Sequence, residues 1–443
     1  MASKASKASK KVHLLFGRDG MELSVPSSAA VLEGKPIPAV SNPDKAVADA
    51  LSKPIASAPL ADLVSARRPA SVAITVSDIT RPVPNRLFLP AMLKVLNDAG
   101  VGDSQIVIII GTGMHRPSTP EELDFILGGE VLSRVEVVDH TADKPDTLVK
   151  VSDDPPVSVN RRFALADFRI VTGYIEPHFM AGFSGGRKGV CPALVDLATV
   201  QRFHGYAALA NPLADNGILE NNPCHEIAMK VAKAVGVDFL FNVAITRRRE
   251  IAGIYCGDLQ AAHLAGCRQV GRWTSAGIDE TFDLVVTNGG GYPLDQTFYQ
   301  TVKGMCTAMP ALDSNSTLLM VSHCGERLGS PVYTDLMLGY ENDWRRFLAD
   351  ISASPHTRLD QWEFQMQCRV LERIGMDRLW FVSDAIDTDT QRRIAVRPIL
   401  GEGDARCRAQ RAIDEFVARR PGTKVAVIPD GPYTMPRRNQ RPQ

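Results

Sequence analysis

Several short apolar runs in this chain end in residues that can move protons or hold anions. Ser71–Ser77 (SVAITVS) leads into Asp78-Ile79-Thr80-Arg81, and Gln105–Ile110 (QIVIII) into Gly111-Thr112-Gly113-Met114-His115-Arg116. Val135–Asp139 is followed by His140, and Phe168–Tyr174 by Glu176-Pro177-His178. In open α/β sheets, ligands bind beyond the carboxyl ends of parallel strands. If these runs are parallel strands, all four groups share one edge. Imidazole titrates near neutrality and can take or give a proton, and an arginine fork suits a carboxylate. One such histidine is ordinarily a hydrogen-bonded loop residue. Three after successive strands point to a site.

The densest segment is Gly173–Gly205, GYIEPHFMAGFSGGRKGVCPALVDLATVQRFHG. Within it, Ser184-Gly185-Gly186-Arg187-Lys188-Gly189 offers backbone N–H groups and two cations ahead of a helix, as an anion site needs. The Walker spacing G-x-x-x-x-G-K-[ST] is absent, and a tight turn is the plain alternative. His204 falls at the end of the following helix, where a histidine can complement the helix dipole.

The elements that must position these residues are set by periodicity. The runs 71–77 and 105–110 are nearly all apolar, as strands buried on both faces should be. Asn85–Gly100 between them is helical, so the three form a right-handed βαβ unit. Thr119 as N-cap, Pro120 at N1 and Glu122 closing a capping box predict another helix. Asp238–Thr246 and Glu250–Cys256 continue the sheet or form its edge. Earlier, Val12–Pro26 alternates around Gly17-Arg18-Asp19-Gly20 and predicts a hairpin. A Pro/Ser-rich stretch with a short helix then runs to about Pro69. A second rhythm starts at Asp283–Thr287 (DLVVT), followed by Asn288-Gly289-Gly290-Gly291 and a helix from about Gln296. Ser316–Ser322, Leu379–Ser383 and Lys424–Pro429 read as its other strands. The expected fold class is therefore α/β, with two α/β domains, largely parallel sheets and the active site in the cleft between them. Residues 12–272 form the first expected domain and 279–443 the second, whose last residues can return to the first.

Bulk composition narrows the class. The 443 residues exceed a single core and are 44% hydrophobic and 23% charged. Lys+Arg and Asp+Glu balance at 50 each, so no global charge favours nucleic acid or acidic membranes. Eight scattered cysteines lack C-x-x-C spacing, which argues against zinc ribbons and dithiol redox motifs and for reduced, cytoplasmic residues. Residues 1–11, built on an Ala-Ser-Lys repeat without an apolar stretch, read as a disordered tail, not a secretory signal. No run approaches the ~20 apolar residues of a membrane span.

SDITRP, GTGMHR, GYIEPHFMAGFSGGRKGV and the later QTFYQTVKG resemble the nickel-dependent lactate racemase family, whose members racemise or epimerise 2-hydroxy acids. The likeness runs through ordered motifs from about residue 77 to 303 and more loosely to about 385. It implies a nickel-pincer nucleotide (pyridinium-3-thioamide-5-thiocarboxylic acid mononucleotide) with nickel held by one carbon and two sulfurs. By motif position Lys188 is the covalent anchor and His204 the protein ligand to nickel; Ser184, Gly185 and Gly186 in the glycine-rich loop are further expected cofactor contacts, and Asp78, three residues before Arg81, can orient Arg81 or a cofactor hydroxyl. His115 and His178 match the acid/base pair. Arg81, Gln300 and Lys303 match the substrate-carboxylate contacts, and Tyr299 and Trp362 the active-site aromatics. For Trp362 ordinary core packing is an even alternative. The implied chemistry removes the carbinol hydrogen as hydride while a base takes the hydroxyl proton, and return to the other face inverts the centre. The implied partners are a small 2-hydroxy acid (lactate, or a larger hydroxy or sugar acid) and, transiently, the cofactor-biosynthesis proteins.

Three other readings stand beside this one. A nicotinamide-dependent dehydrogenase needs G-x-G-x-x-G after the first strand, and Ser77–Asn85 contains no glycine. A non-catalytic carboxylate-binding protein on the same scaffold would be favoured by loss of His115, His178, Lys188 or His204, yet all are present. A zinc-dependent hydrolase would use His115, His140 and His178 as ligands. His140 and Asn288 sit at strand ends without an assignable role. His13, His225, His263, His323 and His356 read as ordinary residues.

Overall fold

The computed structural model describes residues 9–439. They fall into two compact units: residues 36–204 with 210–273, and residues up to Lys35 with 205–209 and those from Thr274 onward.

The unit of residues 36–204 and 210–273 is built on a six-stranded sheet. Its order is Ile251–Gly257, Phe239–Ile245, Phe168–Tyr174, Val72–Ser77, Ile106–Gly111, Glu136–Asp139. Every neighbouring pair is parallel except the edge strand Ile251–Gly257, which runs antiparallel to Phe239–Ile245. The central strands are buried along almost their whole length. The helix Asn85–Asp98 covers one face by packing Phe88, Leu89, Met92 and Leu93 into the cluster containing Ile74, Val76 and Ile108. Each such side chain contributes about 1.5–3 kcal/mol on burial. The helix Pro120–Leu127 begins on the expected capping box: Thr119 Oγ1 accepts from Glu122 N (3.3 Å), and Glu122 Oε2 from Thr119 N (2.9 Å). Gln105 closes a 3₁₀ turn instead of opening the next strand, which starts at Ile106.

The other unit is built on a second six-stranded sheet, whose neighbouring pairs are all parallel: Arg397–Pro398, Leu379–Val382, Thr317–Val321, Leu284–Asn288, Val425–Val427, Ala30–Val31. Two consequences correct the expected division at 12–272 and 279–443. The hairpin Ser9–Leu14/Met21–Pro26 belongs with the later residues, because Ala30–Val31 pairs with Val425–Val427 and Leu15 N donates to Pro429 O (3.0 Å). The closing strand Met435–Arg438 does not return to the first unit; it pairs with Ser275–Ile278. The expected tail at 1–11 lies outside the described residues up to residue 8, while Ser9–Lys11 open a paired strand. Among the described residues, no helix is long and apolar enough to cross a membrane.

Candidate active site

Parallel strands deliver Asp78, His115, His140 and Glu176 to the carboxyl edge of the first unit's sheet, as the sequence predicts. They do not share one role. Asp78, buried just past Val72–Ser77, holds His115: its Oδ2 lies 2.6 Å from His115 Nδ1. Its Oδ1 accepts from Thr80 Oγ1 (2.6 Å) and Thr80 N (3.2 Å). Burial alone would raise the Asp78 carboxyl. The His115 hydrogen bond and charge, with Thr80 and Arg81, more than offset that and leave it below the usual carboxylate range. A carboxylate facing Nδ1 fixes the tautomer with the proton on Nδ1 and the lone pair on Nε2. The exposed His115 is thus set up as a base through Nε2. Asp78, expected at the cofactor, is also the residue that bonds His115.

His178 is arranged the opposite way. It sits on a two-residue strand paired with Gly182–Phe183, and its Nδ1 accepts from Met180 N (3.2 Å) and Ala181 N (3.3 Å). Two N–H groups aimed at Nδ1 leave the proton of the neutral ring on Nε2. His178 presents a donor where His115 presents an acceptor.

The loop after this hairpin carries Lys188, half-buried with Nζ 4.9 Å from the Phe203 ring centroid. Burial, then the Arg187 and Arg81 charges, bring the amine down to about 7. A substantial neutral fraction is therefore available near neutral pH, and only the neutral amine is nucleophilic. His204 caps the helix Leu197–Phe203, its Nδ1 donating to Val200 O (3.0 Å), so the lone pair is on Nε2. Burial, then Lys188, hold its pKa down at about 3. It stays neutral, as a metal ligand must. His115 also acts on His204, and Arg81 on Lys188, so these residues share one electrostatic neighbourhood. Arg81 Nε lies 3.7 Å from Glu176 Oε1.

At the expected anion cradle, residues 184–189, several polar groups are bonded within the fold. Ser184 Oγ donates to Tyr174 O (2.9 Å) and Ser184 N to Glu176 O (2.9 Å), while Gly186 N donates to Asn242 Oδ1 (2.7 Å). Gly185 and Gly186 both have positive φ, and a Cβ would lie 2.6 Å from Asn242 Oδ1 or 2.5 Å from the His263 ring, so glycine is required by packing at both. Gly186–Gly189 form a 3₁₀ turn, and the helix begins only at Leu197. Arg187 is fully buried and faces inward, donating to Ala181 O, Phe183 O and Gly185 O beside His263. That knot, invisible in sequence, stiffens the turn presenting Lys188.

His140 is a packing residue: buried, with Nε2 3.0 Å from Val195 O, and depressed to about 4, chiefly by burial. This removes the third ligand of the zinc-hydrolase alternative. Among the described residues no group of three His, Cys, Asp or Glu side chains is placed to hold a metal ion. Asn288 is likewise structural, donating to Ile428 O (3.2 Å) and Pro429 O (2.6 Å) and accepting from Gly290 N (2.8 Å).

In the second unit, the helix Phe298–Thr307, capped by Thr297, carries Tyr299, Gln300 and Lys303, and the helix Gln361–Ile374 carries Trp362. Trp362 is buried and its Nε1 donates to Tyr299 Oη (2.7 Å), joining the two expected aromatics. Gln300 Oε1 and Glu363 Oε2 are buried without hydrogen-bond partners. Burial pushes the Glu363 carboxyl up to about 8, against the Lys303 charge and with help from Asp360. Glu363 is not among the expected site residues. Its place beside Trp362 becomes a signal only once that helix is known.

A carboxylate-bonded histidine, a second histidine bonded in the opposite sense, a lysine with a lowered pKa and a buried histidine thus gather in an α/β unit, a set of groups able to exchange protons. Residues 16–217 match the family model "Lactate racemase N-terminal domain", and 279–434 match "Lactate racemase C-terminal domain". The chain is 33% identical to the lactate racemase of Lactiplantibacillus plantarum over 87% of its own length and 89% of that protein's. It is 30% identical to that of Thermoanaerobacterium thermosaccharolyticum over 86% and 88%. The lactate racemase apoprotein structure from the latter organism superposes with a TM-score of 0.88 at 28% identity, covering 97% of this chain and all of that one. A Thermotoga maritima protein (TM-score 0.65, 17% identity, 92% of this chain and all of that one) shares the fold. The chain belongs to the lactate racemase family, and it is an isomerase of the racemase kind.

Proposed function

We propose that this enzyme is a nickel-dependent racemase or epimerase that inverts the C2 carbinol centre of a 2-hydroxy acid, lactate or a larger hydroxy or sugar acid. The observation that carries this reading is the opposed hydrogen bonding of the two histidines. His115 Nε2 is an acceptor backed by Asp78, and His178 Nε2 is a donor backed by two backbone amides. Inverting a centre in either direction calls for one group that takes the hydroxyl proton and another that returns it. A pair that presents one acceptor and one donor fits that need, and general acid/base help is worth roughly 10²–10⁴ in rate.

The residues fit the implied nickel-pincer nucleotide. Lys188, with its amine near 7, can be acylated to form the tether. His204, neutral with Nδ1–H held by Val200, offers Nε2 as a ligand. When bound, the group supplies a hydride acceptor and donor. Arg81 is the first unit's candidate for the substrate carboxylate, and Gln300 and Lys303, one helical turn apart, are the second unit's candidate substrate contacts. Tyr299 and Trp362, joined by their hydrogen bond, are the second unit's candidate aromatic contacts.

Intact mass and nickel content of the chain co-produced with cofactor-making enzymes test this reading. The expected result is an adduct of several hundred daltons (order of magnitude for a mononucleotide) mapped to Lys188, with about one nickel per chain, absent in Lys188→Ala. An unmodified, nickel-free chain, where a known family member loads in parallel, refutes it.

A further inference from the structure

A groove of about 830 Å³ lies in the second unit beside Arg397–Pro398, the strand that ends that sheet. None of Tyr299, Gln300, Lys303 or Trp362 lines it. Its walls hold seven arginines against two carboxylates, in a chain whose charges balance as a whole. Arg345, Arg378, Arg397, Arg411 and Arg420 have no carboxylate partner among the described residues; their contacts are carbonyl oxygens or aromatic rings. Only Arg408 and Arg419 are neutralised, by Asp384 and Glu415. Arg408, Arg411, Glu415 and Arg419 recur every three or four residues along the helix Ala405–Arg419 and so form one stripe. Ion pairing within the fold therefore does not account for this concentration of arginine. Like charges gathered around a concavity raise its potential and destabilise the empty protein.

We propose that this groove is a binding site for a small multivalent phosphoryl anion, held by Arg397 and Arg411 with the neighbouring arginines. Guanidinium groups match phosphate oxygens two bonds at a time, a geometry lysine cannot offer. The volume falls in the range of small-molecule sites, ~300–1,000 Å³. A peptide strand added to the sheet edge is a poorer occupant, since Pro398 has no N–H to pair and the walls are charged.

Titration calorimetry of the full chain with inorganic triphosphate at low ionic strength tests the proposal. The expected result is saturable binding of about one anion per chain, weakening with salt. The double variant Arg397→Glu, Arg411→Glu should lose about tenfold or more in affinity. Both positions are exposed, so the variant should melt like the parent. The control Lys53→Glu, Lys233→Glu, at exposed positions in the other unit, makes the same charge change and should bind normally. Absence of saturable binding overturns the proposal, as does an equal loss in both variants, which would mean diffuse attraction. Binding retained in the arginine variant but lost in Arg81→Ala would place the anion in the first unit and also overturn it.

Discussion

Both units present the carboxyl edge of a parallel sheet, yet the two edges are dressed differently. In the first, strand ends carry Asp78, His115 and Glu176, ionisable groups joined to one another or to Arg81 by a hydrogen bond or an ion pair. In the second, the comparable positions carry Asn288, Ser322 and Ser383, neutral groups that tie backbone to backbone or to a neighbouring hydroxyl. The second unit's expected substrate contacts come instead from two helices. One architecture thus supplies a chemical edge and a structural edge.

Breaking the chemical edge should have the largest effect. In the loaded enzyme, His115→Ala is expected to lower kcat/KM by roughly 10²–10⁴, with Asp78→Asn somewhat milder and both near parental Tm. Retention of rate in Asp78→Asn would mean that the carboxylate does not set the His115 tautomer. The structural edge should answer to stability. Asn288→Ala leaves the Gly290 N–H without its partner and removes one of two donors from each of the Ile428 and Pro429 carbonyls, and is expected to cost about 1–3 kcal/mol in denaturant unfolding. An undiminished stability with abolished turnover would show that the second edge also does chemistry.

Strand ends are legible because a strand buried on both faces is a continuous apolar run, and the residues just past it must emerge at the edge. His115, His140 and His178 stand out in the sequence for that reason. What each does is not legible there, because it depends on partners distant in sequence: Asp78 is 37 residues from His115, and Val195 is 55 from His140. The same applies to the turn at 184–189, where the Gly186 N–H bonds Asn242 and the Gly185 and Gly186 positions pack on Asn242 and His263. The expected domain division fails because a two-residue strand, Ala30–Val31, carries too little pattern to show which sheet it joins.

The chemical edge also has a titration that sharpens the contrast. With its amine brought to about 7, Lys188 should be acetylated by a small reagent with a midpoint near that pH, as read by mass mapping, while exposed lysines respond only at far higher pH. A Lys188 midpoint like theirs would show that the amine needs activation from elsewhere before attachment.

The smallest effect is expected at Glu363, where the second unit departs from its neutral pattern. Its folded pKa is raised from 4.5 to about 8, so between these values the folded chain holds a proton that the unfolded chain releases. This group's contribution is therefore fully present below about 4.5 and is lost as pH rises through about 8. Glu363→Gln keeps the shape and removes the titration. Its Tm relative to the parent should rise from pH 5 to pH 9, by a few degrees at most. An unchanged difference would mean that Lys303 already holds Glu363 as a carboxylate, making the two an ion pair within the helices that carry the expected substrate contacts.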